Sequence, residues 1–230
     1  MIHQGEIEYE KRVNTHAILN EYYLSNASSG AQQYGQQYKT NNPQFGVTTY
    51  TLVFNDEYSL YTPTKSTTDL VQKPLLTVLN TVYTNLKDQM SITRKSLFGD
   101  VFLVNDTIRM INWKITGESR EIAGFSCRRA NAIIMDSIYV VAFYTDQIVP
   151  KAGPESFTGL PGMILGIALP SEHITWFATR VSLTQTATNI ASPTGGRKVS
   201  YAQLSSLLLD DSSLKSDPKV GNLFLRNSLF

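Results

Sequence analysis

The sequence predicts a mainly β protein: a single domain over residues 1–230, built on an antiparallel meander sheet with one or two short helices. Several segments alternate apolar and polar residues with the period of a half-buried strand. From residue 91 onward, β-rich segments of roughly 6 to 10 residues follow one another, each bounded by Gly, Asn, Asp or Pro. Their links are too short for crossover helices, which excludes a parallel sheet.

The first strand is predicted in "GEIEYEKRV", residues 5–13. One face carries Ile7, Tyr9, Lys11 and Val13, and the other carries Glu6, Glu8, Glu10 and Arg12. This amphipathic pattern favours an edge or rim strand. "GVTTYTLVFND" and "EYSLYTP" then predict a hairpin that turns at Asn55 and Asp56.

Three regions are less regular. Residues 25–44 are rich in Gly, Ser, Asn and Gln, which predicts a polar, mobile insertion. In residues 74–88 a helical stripe (Leu75, Leu79, Val82, Leu86) competes with β-favouring Thr, Val and Tyr, and a strand over 81–86 is favoured. In residues 192–230, "SPTGGRK" is expected to be a loop, "SYAQLSSLLLDD" a short helix and "VGNLFLRNSLF" a last strand. Further upstream, "TIRMINWKIT" is predicted to be a strand that ends at Gly117.

Composition excludes some partners. The chain has 20 basic and 19 acidic residues, a net charge of +1, and so no field that would attract nucleic acid or an anionic membrane. No apolar run approaches the roughly 20 residues that span a bilayer. The N-terminus has neither a basic leader nor an apolar core, which fits a cytosolic protein or a mature form whose leader was removed.

No metal or cofactor is expected. His3, His16 and His173 lie far apart and have no metal-ligand spacing. The single cysteine, Cys127, alternates onto the same face as Phe125, which predicts a buried thiol. A minority interpretation pairs Cys127 with His173 as a nucleophile, its pKa depressed by Arg128 and Arg129.

Other catalytic patterns are lacking. The chain has no G-x-S-x-G nucleophile elbow. Glu155, Asp210 and Asp211 have no spacing that indicates a carboxylate pair. Catalytic residues are therefore predicted as none, and a hydrolase that uses Cys127 or dispersed carboxylates is the alternative.

The stretch "GPESFTGLPGMILGIALP", residues 153–170, lacks the Lys and hydroxyl of a phosphate-binding loop. Pro161 and Gly162 instead predict a type II turn over 160–163. Gly153 and Pro154 predict a second turn, so that Phe157 is held between two rigid corners and could fold over the sheet. The motif is interpreted as structural: Gly153, Pro154, Phe157, Gly159, Leu160, Pro161 and Gly162.

Five ordered motifs, "WKITGESREI", "GFSCRRA", "VVAFYTDQI", "GPESF" and "GLPGMIL", resemble the GLPGLI family, a group of exported Bacteroidota proteins. The resemblance covers about residues 82–169. Two positions depart mildly: Met163 stands for Leu, and Phe143 for the more common Trp.

The resemblance implies export to the periplasm or cell surface and carries no established enzymatic activity. By analogy of fold it also implies a curved sheet, a half-barrel similar to lipoprotein-carrier domains. The leading hypothesis is a non-enzymatic envelope protein that binds an apolar small molecule or serves as accessory to an outer-membrane receptor or transporter. The candidate contacts on its concave face are Trp113, Phe143, Tyr144, Trp176 and Phe157.

Overall fold

The structure, a computed structural model, describes residues 1–25, 28–66, 79–97, 99–183, 190–211, 215 and 218–228. Its strands are β1 Gly5–Asn14, β2 Phe45–Phe54, β3 Tyr58–Ser66, β4 Thr81–Asn85, β5 Met90–Leu97, β6 Asp100–Thr107, β7 Lys114–Ile122, β8 Phe125–Ile134, β9 Ile138–Thr145, β10 Met163–Leu169, β11 Ile174–Ser182 and β12 Arg197–Val199. Its helices are α1 Thr15–Ile18, a π-helical segment Leu19–Leu24, α2 Ser29–Asn41, a 3₁₀ turn Pro170–Glu172, α3 Tyr201–Asp210 and α4 Pro218–Ser228.

These strands form one open, curved sheet in the order β12-β6-β5-β4-β3-β2-β1-β11-β10-β9-β8-β7. The order contains two meanders, β1 to β6 and β7 to β11, joined where β1 pairs with β11. Neighbouring strands are antiparallel, except that β12 pairs with β6 in parallel. The predicted mainly β, antiparallel fold is confirmed.

The predicted position of the first strand was wrong. β1 is an interior strand, paired along its length with β2 on one side and β11 on the other. Except for Lys11, its charged side chains lie on the partly exposed face, where Glu8 contacts Arg180 of β11. Alternation of apolar and polar residues indicates which face of a sheet is exposed to solvent. A central antiparallel strand can have a solvent-exposed face as readily as an edge strand can.

The predicted hairpin is present as β2 and β3. Its turn is held by the Asn55 side chain, whose Oδ1 accepts hydrogen bonds from the backbone N–H groups of Glu57 and Tyr58 at 2.9 and 2.7 Å. Asn55 N–H also donates to the carbonyl of Tyr58 at 2.9 Å. The favoured strand in the 74–88 segment is also present, as β4, whereas residues 74–78 lie outside the described part.

The strand predicted in "TIRMINWKIT" was placed wrongly. Residues 108–113 are not in a strand, and Met110 is almost fully exposed. β7 starts at Lys114 and continues through Gly117, with an irregular pairing to β8 between Ile115 and Ser119. Gly117, the predicted strand end, instead marks a bulge-like irregularity inside a strand.

Two of the three less regular regions, residues 25–44 and 192–230, contain helices. α2 occupies most of residues 25–44, and Ser28 caps it by accepting from the N–H of Ala31. The helix predicted at "SYAQLSSLLLDD" is confirmed as α3, which begins with a capping box between Ser200 and Gln203. The last strand predicted in "VGNLFLRNSLF" was wrong, because that segment forms α4.

The interior has two parts. The larger core lies on the face of β1 that carries Ile7 and Tyr9 and is built mostly from β1, β2 and β8 to β11. A smaller core packs α3 and α4 against the other end of the sheet, with Leu97, Phe102, Val104, Val199, Leu204, Leu208 and Phe224. Between them, the same face of β2 to β5 buries polar side chains: Thr48, Ser59, Thr84, Ser91, Thr93 and Lys95.

Candidate functional site

The glycine- and proline-rich stretch forms a well-packed loop between β9 and β10. Phe157 N–H donates to the Pro154 carbonyl at 3.2 Å, which makes the turn predicted at Gly153 and Pro154. Ile164 N–H donates to the Ala152 carbonyl at 2.8 Å. A Cβ on Gly153 would lie 2.7 Å from the Phe157 carbonyl oxygen, so the close approach of these backbones requires glycine. We call residues 152–162 the motif loop.

The turn at Pro161 and Gly162 is tighter than predicted. Gly162 N–H donates to the carbonyl of Leu160 at 2.8 Å, a three-residue turn centred on Pro161, whereas Met163 N–H donates to Ile148 at 3.0 Å. The type II turn is therefore not formed, because Met163 is already held by the neighbouring backbone. Gly162 does take positive φ, +138°, and a Cβ there would lie 2.1 Å from the Thr145 carbonyl oxygen.

Phe157 is held between the two turns, as predicted, but it points into the core and is 1% exposed. Its ring meets that of Trp176 edge to face, with centroids 6.0 Å apart. Trp176 and Tyr144 are also buried core residues. Trp113 is half-buried, and its indole N–H donates to the Thr158 carbonyl of the motif loop at 2.9 Å.

Phe143 lies on the other face of β9 from Tyr144, since neighbouring strand residues point to opposite faces. It packs near Phe177, with ring centroids 6.4 Å apart, and the Arg120 guanidinium lies 5.0 and 5.1 Å from the two rings. The aromatic residues named from the sequence as concave-face contacts therefore do not form one surface.

The motif loop carries a charge into the interior that sequence reasoning missed. Glu155, at φ +52°, has a side chain with no exposed surface. Lys11 of β1 donates to its Oε1 at 3.1 Å, and Asn80 donates to its Oε2 at 2.8 Å. Lys11 also lies 4.9 Å from the centre of the Trp176 ring. A signal did exist, because Lys11 interrupts the apolar face of β1.

More polar groups surround this carboxylate. Lys95 of β5 is completely buried, and its burial lowers its pKa to about 7; the charge of Glu155 opposes that shift, whereas Lys11 and Arg109 add to it. The rings of Tyr50 and Tyr61 stack with centroids 4.5 Å apart. Burial, and secondarily the charge of Glu155, raises the pKa of both phenols.

An open cleft of about 500 Å³ borders the motif loop on its outer side. The β2–β3 and β4–β5 turns, the segment after β6, residues 149–151 and part of the motif loop surround it. Its lining mixes charged, amide and apolar side chains. The lining residues are Asp56, Leu86, Gln89, Ile108, Val149, Pro150, Lys151, Thr158 and Gly159. Loops and turns that a sheet holds in position often carry binding residues.

The thiol of Cys127 is buried, as predicted. Burial raises its pKa to about 11, and the nearby Arg120 only partly opposes this. His173 lies elsewhere in a contact with Glu21, at 2.8 Å, and His3 contacts Asp56 at 2.8 Å. Within the described residues, no group of three or more His, Cys, Asp or Glu side chains is arranged to hold a metal ion.

Comparisons with known proteins add a family match and a fold. A family model described as "Protein of unknown function (Porph_ging)" matches residues 133–166, which include β9, the motif loop and the start of β10. No curated protein matches the chain. None of the helices in the described ranges is both long and apolar enough to cross a membrane.

Two solved structures of PNGF-II, in the C2 and P21 space groups, are similar to this chain, with TM-scores of 0.58 and 0.57 and sequence identities of 12% and 13%. Each alignment covers 90% of this chain and 33% of the other, so this chain spans about a third of the length of PNGF-II. At such low identity the likeness concerns the fold alone. The curved, mainly β architecture is thus one that solved structures also contain.

Proposed function

We propose that this chain is an exported, non-enzymatic envelope protein of the GLPGLI type, and that it binds a segment of an outer-membrane receptor or transporter in the cleft beside the motif loop. The observation that carries the proposal is the cleft itself. It combines about 500 Å³ of open space with a lining fixed by short turns. Its opposite charges, Asp56 and Lys151, suit the mixed polar and apolar surface of a protein segment.

A partner segment suits this cleft better than an apolar small molecule. Sites for apolar molecules are lined mostly by hydrophobic and aromatic side chains. Here the aromatic residues Tyr144, Phe157 and Trp176 fill the core. The cleft instead presents Asp56, Gln89 and other polar groups beside aliphatic ones.

Localisation in the periplasm or at the cell surface belongs to the same proposal. It is supported by the five ordered motifs, which resemble those of exported proteins. Fractionation of the source cells, with an antibody against the chain, tests it: signal in the envelope fractions is expected, and signal confined to the cytosol would contradict it.

Site-specific photocrosslinking tests the binding site. A benzoyl-phenylalanine at Gln89, an exposed cleft residue, is expected to crosslink in intact cells to one envelope protein. The same probe at Ile133, which is 65% exposed in β8 and does not line the cleft, is the matched control. Loss of the Gln89 product on Lys151→Glu would support recognition by the cleft. Equal products from both positions, or none, would refute it.

A hydrolase is the alternative proposal, and one observation favours it. Lys95 and Glu155 are buried together, and the pKa of Lys95 is about 7, so this pair contains a group suited to proton exchange near neutral pH. Cys127 does not support such chemistry, because its thiol is buried and its pKa is raised. Turnover of ester, amide or glycoside substrates that Glu155→Gln abolishes in a folded protein would establish this alternative, and turnover that survives the substitution would eliminate it.

A further inference from the structure

A second, much smaller cavity, partly open to the surface, lies next to the motif loop. It leaves about 10 Å³ for the centre of a water-sized sphere, which is room for one small species. Ile108 and Thr158 line both this cavity and the open cleft, so the two spaces adjoin. The lining residues are Thr84, Ser91, Thr107, Ile108, Arg109, Ser156, Thr158 and Tyr201.

The chemistry of this lining is that of hydrogen-bond donors. Six of the eight lining residues carry a hydroxyl group, one carries a guanidinium, and none carries a carboxylate. Ser91 is 6% exposed, and its hydroxyl has no hydrogen-bond partner among the described residues. The Tyr201 hydroxyl likewise makes no hydrogen bond of ordinary geometry within the described part of the chain. A buried hydroxyl without a protein partner is suited to hydrogen-bond a bound ligand or water.

The charges around the cavity favour a negative occupant. The Arg109 guanidinium lies 5.6 Å from the centre of the Tyr201 ring, and its charge partly opposes the rise in the pKa of that phenol that burial causes. Lys95 is close enough to both Arg109 and Lys11 to interact with them electrostatically. The acidic groups that act on the same site are Glu155 and Asp106, both also felt at Tyr201. Lys11 and Glu155 pair with each other, so Arg109 and the partly protonated Lys95 face the single carboxylate of Asp106.

We propose that this cavity binds a small monovalent anion, such as chloride, between Arg109, the Ser91 hydroxyl and the Tyr201 hydroxyl. Hydroxyl and guanidinium groups donate hydrogen bonds to an anion, and no carboxylate lines the cavity itself. The bound anion would offset part of the buried positive charge and connect β5 to α3. This site does not depend on a partner binding in the cleft.

Bromide, which scatters anomalously, tests the site directly. Crystals of the full chain soaked in sodium bromide are expected to show one anomalous peak in this cavity, within hydrogen-bonding distance of Ser91 and Tyr201. A cavity that contains a water molecule and no anomalous peak, in the same soak, would overturn the proposal. This measurement needs no variant and so cannot be confused with a folding defect.

A solution experiment provides the second readout. The melting temperature is expected to rise by roughly 2–4 °C in sodium bromide compared with sodium gluconate at equal ionic strength, because the ion binds only the folded state. Ser91→Ala and Tyr201→Phe should lose that difference. Tyr34→Phe, at a residue that is 70% exposed, should keep it. A salt effect that is the same in all four proteins would show screening alone and would contradict the site.

Discussion

Lys11 Nζ lies 3.1 Å from Oε1 of Glu155, and this buried contact joins the first strand to the motif loop across 144 residues of sequence. Both side chains are almost fully buried, at 7% and 0% exposed. Asn80 satisfies the second oxygen of the carboxylate. The motif thus does more than turn the chain, because it also holds a carboxylate against the polar part of the sheet face.

Removing one partner of this pair should destabilise the protein. Glu155→Gln is expected to lower the free energy of unfolding by about 3 kcal/mol, since Lys11 would remain buried without its counter-charge. Urea denaturation monitored by tryptophan fluorescence measures the change. Glu57→Gln, which breaks the exposed contact with Lys87, is the matched control and should cost at most about 1 kcal/mol. Equal losses in the two variants would show that the buried pair has no special role.

Gly162 should tolerate no side chain. Gly162→Ala is expected to cost roughly 2 kcal/mol or more, because its Cβ would meet the Thr145 carbonyl oxygen in addition to the strain of positive φ. Gly124→Ala is the control: it has φ +83° and no atom within 4 Å of the added Cβ, so it reports the backbone term alone. Similar melting temperatures for the two variants would contradict the close approach to Thr145.

The thiol of Cys127 should react slowly in the native protein. Burial raises its pKa to about 11, so at pH 8 it is almost entirely protonated and also shielded. Labelling by iodoacetamide is expected to be at least tenfold slower in the native state than in urea. Native labelling as fast as that of the unfolded chain would mean that the thiol is accessible, and would restore the nucleophile hypothesis.

Lys95 should make stability depend on pH. Its pKa is about 7 in the folded protein against an ordinary value of 10.5, so between these values the unfolded chain binds more protons. The contribution of Lys95 to the free energy of unfolding is therefore greatest above pH 10.5. It falls as the pH is lowered from 10.5 to 7 and changes little below pH 7. The free energy of unfolding at pH 7, 8 and 9 should rise less steeply in Lys95→Met than in the wild type. Lys87→Met, at an exposed site, should leave the slope unchanged.

The fold class could be predicted because alternation and turn residues are local signals. The hairpin at Asn55 depends on the side chain of that residue. The central position of β1 could not be predicted in this way, because partners such as β11 lie more than 150 residues away. In "VGNLFLRNSLF", Leu223 and Phe224 are adjacent and both buried, as well as Ser228, a spacing that a helix face accommodates and a half-buried strand does not.

The candidate site was predicted only in part. Proline and glycine indicate turns locally, so the motif loop was found, whereas the turn type at Gly162 depends on where Ile148 holds Met163. The aromatic residues were assigned to one face without knowledge of strand register, which places Phe143 and Tyr144 on opposite faces. The role of Glu155 could not be predicted because its partners lie far away in sequence: Lys11 is in β1, and Asn80 comes just before β4.

A double-mutant cycle on Lys11 and Glu155 tests most directly whether the motif loop is held by this buried pair. The variants are Lys11→Met, Glu155→Gln and the combination, each measured by urea denaturation. We expect a coupling energy of about 2 kcal/mol, with the double variant less destabilised than the sum of the single variants, because it leaves no unpaired buried charge. Strictly additive losses would contradict the account.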